Sequence, residues 1–100
     1  MSTDRNWPIY GSDGTAITAT STSAATLIAS TQAALMAEDV LIDNPGTVDV
    51  YVKAGPDNSA VATLASVRVP AGSLQPFAKG AGNAYLAIRT ASGSQAVVVH

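Results

Sequence analysis

Apolar and polar positions alternate most sharply between Asp39 and Gly55, where the chain reads D-V-L-I-D-N-P-G-T-V-D-V-Y-V-K-A-G. Val40 and Ile42 on one arm, and Val48, Val50 and Val52 on the other, recur at period two, the spacing of a strand with one buried face. Asn44-Pro45-Gly46-Thr47 between them is turn chemistry, so the stretch predicts two antiparallel strands joined as a hairpin. With Pro45-Gly46-Thr47 as the connection, Ile42 falls opposite Val50 and Val40 opposite Val52. A slip of one residue would turn every one of these side chains to water. The same register sets Asp39 opposite Lys53, Leu41 opposite Tyr51 and Asp43 opposite Asp49. The last pair reads as two solvated carboxylates, tolerated at a cost of roughly a few tenths of a kcal/mol. A weak cation site at Asp43 and Asp49 is the other reading.

The rest of the chain carries the same pattern in shorter pieces. Thr15 to Ile28 is rich in β-branched Thr and poor in charge, which suits one or two strands of modest burial with an edge open to another chain. Ser30 to Glu38 has good helix formers behind Ser30, a candidate cap. It predicts a single turn or short helix, the alternative being an irregular connection with Leu35 or Met36 plugging the core. Ala60 to Leu64 reads as a short strand, and Ser66 to Val69 as a clearer one with Val67 and Val69 inward and Arg68 outward. Leu74 to Ala78 is a strand that Pro76 confines to an edge or a bulge, because proline cannot donate to the ladder. Ala84 to Thr90 places Leu86 and Ile88 on one face with Tyr85 and Arg89 on the other, and Ala96 to His100 closes the series. Turn chemistry separates these pieces at Gly55-Pro56-Asp57-Asn58-Ser59, Pro70-Ala71-Gly72-Ser73, Lys79-Gly80-Ala81-Gly82-Asn83 and Ser92-Gly93-Ser94. Seven or eight short strands so spaced predict an all-β fold. The expectation is a single antiparallel β-sandwich or jelly-roll-like barrel, with at most one short helix near Ser30–Glu38. Residues 15–100 form the domain and 1–14 an extended N-terminal arm.

Composition changes this picture in two ways. The chain is 100 residues long, one domain by size, and nineteen of its apolar residues are Ala while Ser and Thr add twenty more. Side chains so small predict a thin, Ala-rich core, a marginally stable monomer, and further burial against other copies or a larger partner. Charge is scarce, at 12%, with a net charge of -2. The basic residues Arg5, Lys53, Arg68, Lys79 and Arg89 are scattered and match no run of phosphates, so nucleic-acid binding is not expected. No apolar run approaches the ~18 residues of a membrane span. The opening M-S-T-D-R-N-W-P lacks the basic start and apolar stretch of a signal peptide, and there is no Cys for disulfides. A protein made and assembled inside a cell, by default bacterial cytoplasm, is the expectation.

Catalytic chemistry is poorly provided for. His100 is the only histidine and the last residue, a weak base for a Ser/His/Asp arrangement. No Cys nucleophile is present, and no His, Cys and carboxylate cluster has zinc spacing. No calcium loop of the D-x-D-x-D-G kind occurs, and Gly80-x-Gly82 precedes no helix that would receive phosphate. No catalytic residue, no cofactor and no enzymatic activity are therefore expected. Outward aromatic and basic residues are what remain. Trp7, Ile9 and Tyr10 either cover the sandwich end or anchor the arm on a neighbouring subunit. Tyr51 beside Lys53 and Tyr85 near Arg89 read as partner-binding residues or as ordinary cross-strand partners, while the aromatics Tyr51, Tyr85 and Phe77 are the candidates for a sugar-binding surface.

The strings V-L-I-D-N-P-G-T-V-D-V-Y-V-K-A-G, V-R-V-P-A-G-S-L-Q-P-F-A and A-Y-L-A-I-R-T-A-S-G-S-Q-A-V-V-V resemble small virion structural proteins of tailed bacteriophages. The likeness covers Asp39 to Val99, and leaves out the residues before Thr15 and the Ser30–Glu38 segment. It implies a non-enzymatic assembly role: a capsid decoration or cement protein binding between major capsid subunits, a head fibre, or a small tail component. It further implies location in the virion after assembly in the host cytoplasm. The implied partners are the major capsid protein and copies of itself, with a homotrimer suited to three-fold junctions. The alternative is a carbohydrate- or host-surface-binding module of a head or tail fibre.

Overall fold

The computed structural model describes residues 14–29 and 31–100. It contains eight strands and one helical turn: β1 (Thr15–Ala19), β2 (Ala24–Leu27), α1 (Gln32–Met36), β3 (Asp39–Asn44), β4 (Val50–Gly55), β5 (Val67–Val69), β6 (Ser73–Ala78), β7 (Tyr85–Arg89) and β8 (Gln95–Val99). Two four-stranded antiparallel sheets stack face to face, the first in the order β1-β8-β3-β6 and the second β2-β7-β4-β5. The first four strands pair with the last four in reverse order, β1 with β8, β2 with β7, β3 with β6 and β4 with β5. The chain is thus one long antiparallel ribbon rolled into a sandwich, the strand order of a jelly roll. Of the two expected forms it is the sandwich, since no strand pairing among the described residues joins the sheets into a closed barrel.

The hairpin expected at Asn44-Pro45-Gly46-Thr47 is a corner instead. β3 pairs with β6 and β8 in one sheet, β4 with β5 and β7 in the other. Asn44, fully buried, makes the corner: its Nδ2 donates to the Val48 carbonyl at 2.9 Å and the Val69 carbonyl at 3.2 Å, and its Oδ1 accepts from Gly46 N–H at 3.4 Å. From β8, Gln95 Oε1 accepts the Thr47 and Val48 N–H groups, both at 3.2 Å. Satisfied by side chains, these backbone groups need no partner strand, and the chain crosses from sheet to sheet. The predicted inward faces survive for Val40 and Ile42, which meet Val50 and Val52 across the interior rather than along a ladder, but not for Val48, which the corner leaves half-buried, outside the core and lining a surface cleft. The predicted pairs do not survive. Asp39 lies opposite Ala78, Leu41 opposite Pro76 and Asp43 opposite Leu74, whereas Tyr51 lies between Arg68 and Arg89 and Lys53 opposite Ala87. Asp43 on β3 and Asp49 just ahead of β4 therefore do not face each other across a ladder, and the opposition of carboxylates that the hairpin implied is absent.

The interior corrects the expectation of an alanine-lined core. Its packed cluster is Val40, Ile42, Val50, Val52, Val69, Phe77, Leu86, Ile88, Val97 and Val99, with Ala19 as the one alanine. Ala29, Ala62 and Ala87 are buried outside this cluster, and other alanines go to outer faces, as at Ala16, Ala78 and Ala96. Phe77 in this cluster is unavailable to a sugar-binding surface. Val67 shares a face with Val52 but is 56% exposed, because β5 is a three-residue edge strand at an open seam of the sandwich. Ala60 to Leu64 forms no strand and belongs to the loop between β4 and β5. Pro76 sits, as expected, on an edge strand. Gly72 supplies the positive φ of +74° that the turn into β6 requires.

α1 is a single turn capped by Thr31, whose hydroxyl accepts from Ala34 N–H at 3.1 Å. Ser30, the expected cap, lies outside the described residues. None of the helix is buried, so neither Leu35 nor Met36 plugs the core. What secures it is the β6–β7 loop: Gly82 N–H donates to the Leu35 carbonyl at 2.9 Å, and the buried Lys79 Nζ donates to the Leu35 and Gly80 carbonyls at 3.0 and 3.1 Å. Burial holds the Lys79 amine below its ordinary pKa.

Candidate partner-binding face

The second sheet turns Val50, Val52, Leu86 and Ile88 inward, and alternation sends the residues between them out. Antiparallel pairing of β4 and β7 then sets Tyr51 opposite Arg89, Lys53 opposite Ala87 and Gly55 opposite Tyr85. The four outward residues read from the sequence, Tyr51, Lys53, Tyr85 and Arg89, thus share one outer face on adjacent strands. β5 adds Arg68 on the other side of Tyr51, and β2 adds Leu27 opposite Tyr85. Arg89, Tyr51 and Arg68 form a row across three strands spaced ~4.8 Å apart, a cation on each side of an aromatic ring.

Both guanidinium groups are anchored. Arg68 pairs with Asp49 at 3.5 Å, while the other oxygen of Asp49 accepts from Ala71 N–H at 2.8 Å. Arg89 Nε donates to the Thr90 carbonyl at 3.0 Å. Tyr51 and Asp49, with Thr47, Val48, Ala91 and Ser92, also line a shallow cleft of about 290 Å³ at the end of this face.

Part of the face is overlaid by the loop after β4. A Cβ on Gly55 would lie 2.7 Å from the Ala60 Cβ, and Ala62 N–H donates to Ser23 Oγ at 2.9 Å, so the loop is held to both β4 and the entry to β2. Ala87 points outward in register yet is fully buried, as is Ala62. At its outer side the loop exposes Val61 and Leu64. Asp57 shapes its start, accepting from the hydroxyl and then the N–H of Ser59; these bonds hold its carboxyl below the ordinary range. The result is a loop with apolar tips beside a rim of cations and tyrosines. No family model, curated protein or solved structure matches this chain.

Trp7, Ile9 and Tyr10 lie outside the described residues. Among those described, no three His, Cys, Asp or Glu side chains gather, and no described helix is long and apolar enough to cross a membrane. His100 directly follows β8, an inner strand of the other sheet, and pairs through its backbone with Leu41 of β3. Arg68 and Leu27 were not identified as members of this face from the sequence. Arg68 was legible as outward, but its place beside Tyr51 depends on strand order, which no local pattern encodes.

Proposed function

We propose that this protein is a non-enzymatic virion structural protein, a capsid decoration protein that stabilises a phage head by binding between major capsid subunits. The observation that carries the reading is the gathering of Tyr51, Lys53, Tyr85 and Arg89 on one face with Arg68. Aromatic and arginine side chains on a rigid surface are the usual anchors of protein interfaces. Jelly rolls build capsid domains, a supporting analogy of fold alone. In this reading the arm, with Trp7, Ile9 and Tyr10, engages the shell, and the second-sheet face engages a neighbouring subunit in a small cluster such as a trimer.

The test is co-sedimentation of the full chain with empty shells of the major capsid protein, followed by heating of the decorated shells. Saturable binding and a raised shell melting temperature are expected, both reduced by Tyr51→Ala with Arg89→Ala. Failure to bind shells under any salt condition would overturn the proposal. The cleft beside Tyr51, with an aromatic wall and polar groups from Thr47, Asp49 and Ser92, favours a second reading, carbohydrate binding by a fibre module. A glycan array that lights up with wild type and goes dark with Tyr51→Ala would establish it in place of the first.

A further inference from the structure

The two outer sides of the sandwich are opposite in charge and alike in apolar character. On the first sheet, alternation against the buried Val40 and Ile42 turns Asp39, Leu41 and Asp43 outward. Register then builds a row across all four strands, Leu74, Asp43, Val98 and Ala16. Outward positions of an antiparallel sheet are ordinarily polar, but here Leu74 is 59% exposed in a row whose one charge is Asp43. Among the described residues, no Lys or Arg lies on this side to guard it. The described surface bases, Lys53, Arg68 and Arg89, all belong to the second-sheet side, together with exposed Leu27, Val61 and Leu64. Lys79 is buried and joins neither side.

We propose that the acidic first-sheet face is a docking surface for the basic second-sheet side of another copy of this chain. The inference rests on the reading of the second-sheet side as a docking face, and names its partner. Three features argue for a second copy. The charges are complementary, with the carboxylates of Asp39 and Asp43 on one side and, on the other, three cations that outnumber Asp49 and the exposed loop residue Asp57. Each side offers exposed leucine for the other to cover. The small residues Ala16, Ala78 and Ala96 keep the first sheet low enough for close approach. Because the mating surfaces differ, the contact is heterologous, and copies join head to tail in a row or a closed ring. A four-stranded face of five-residue strands is roughly 17 by 19 Å, a small interface by the standards of stable complexes. Association is therefore weak in dilute solution and strengthened when a shell holds copies side by side.

Sedimentation equilibrium of the full chain, up to about 1 mM and at low and high salt, tests this. The wild type associates in a concentration-dependent way and loses association as salt screens the pairing. Asp43→Lys with Leu74→Lys removes the first-sheet side, and Lys53→Glu with Leu27→Glu the second; all four positions are surface positions, and melting curves confirm folding. Each double variant alone is monomeric, with association weakened at least about tenfold. Mixed in equal amounts they form a 1:1 dimer and nothing larger, since each brings one intact side. A wild type monomeric at 1 mM, double variants that associate like wild type, or a mixture that stays monomeric would overturn the proposal. So would loss of association on deleting residues 1–13 while both double variants retain it, which would make the arm the occupant. Shell binding is measured separately: a monomeric wild type that still decorates shells defeats this inference alone, and self-association without shell binding defeats only the capsid role.

Discussion

Replacing Asn44 tests whether the sheet-to-sheet corner is held as described. Its side chain is fully buried, donates to two carbonyls, one in the corner itself and one on β5, and accepts one N–H. Asn44→Ala removes all three bonds and leaves the Val48 and Val69 carbonyls short of a donor. At a net ~1 kcal/mol for each of the three bonds, the loss is about 3 kcal/mol. For a domain of this size, that lowers Tm by roughly 12–24 °C. Asn44→Asp keeps the shape but turns an oxygen toward two carbonyl oxygens. A carboxyl buried there has its pKa raised above the usual ~3.9, because the protonated form donates to a carbonyl while the ionised form is repelled. A raised folded-state pKa means stability is lost as pH rises through it. The deficit of Asn44→Asp against wild type therefore widens from pH 4 to pH 8, while that of Asn44→Ala stays level. Urea unfolding followed by far-ultraviolet circular dichroism measures both. An Asn44→Ala variant within about 0.5 kcal/mol of wild type, or an Asn44→Asp deficit independent of pH, would refute the assignment of the corner to this side chain.

Gly46→Ala would drive its Cβ into the Gln95 amide and break the two bonds from Thr47 and Val48. A cost of about 1–2 kcal/mol is expected, and a double-mutant cycle with Gln95→Ala should recover most of it as coupling. Lys79 has its pKa lowered from 10.5 by burial, so the folded state releases a proton first. Wild-type stability accordingly rises relative to Lys79→Met as pH climbs toward 10.5, read from urea midpoints at successive pH values. Ile42→Ala, fully buried, should cost about 3–4 kcal/mol, and Leu74→Ala, largely exposed, less than about 0.5 kcal/mol; equal effects would contradict the facing of β3 and β6.

What the sequence determined by itself is the sidedness of the strands. Period-two alternation turned Val40, Ile42, Val50, Val52, Leu86 and Ile88 inward and Tyr51, Lys53, Tyr85 and Arg89 outward, because a pleated backbone sends successive side chains to opposite faces whatever lies beside it. Turn residues likewise marked the loops, and Pro76 marked an edge. Only the tertiary structure decided who pairs with whom. The alternation of β3 and β4 is satisfied equally by a hairpin, with both inner faces on one sheet, or by a corner, with those faces meeting across the core. The choice falls to Asn44 and to Gln95, the latter nearly fifty residues away along the chain, and such long-range hydrogen bonds leave no local signal. The same strand order that replaced the hairpin brought Arg68 beside Tyr51 and removed the pairing of Asp43 with Asp49. The charges of the two sides were legible residue by residue, but their division between opposite faces came from how the ribbon rolls.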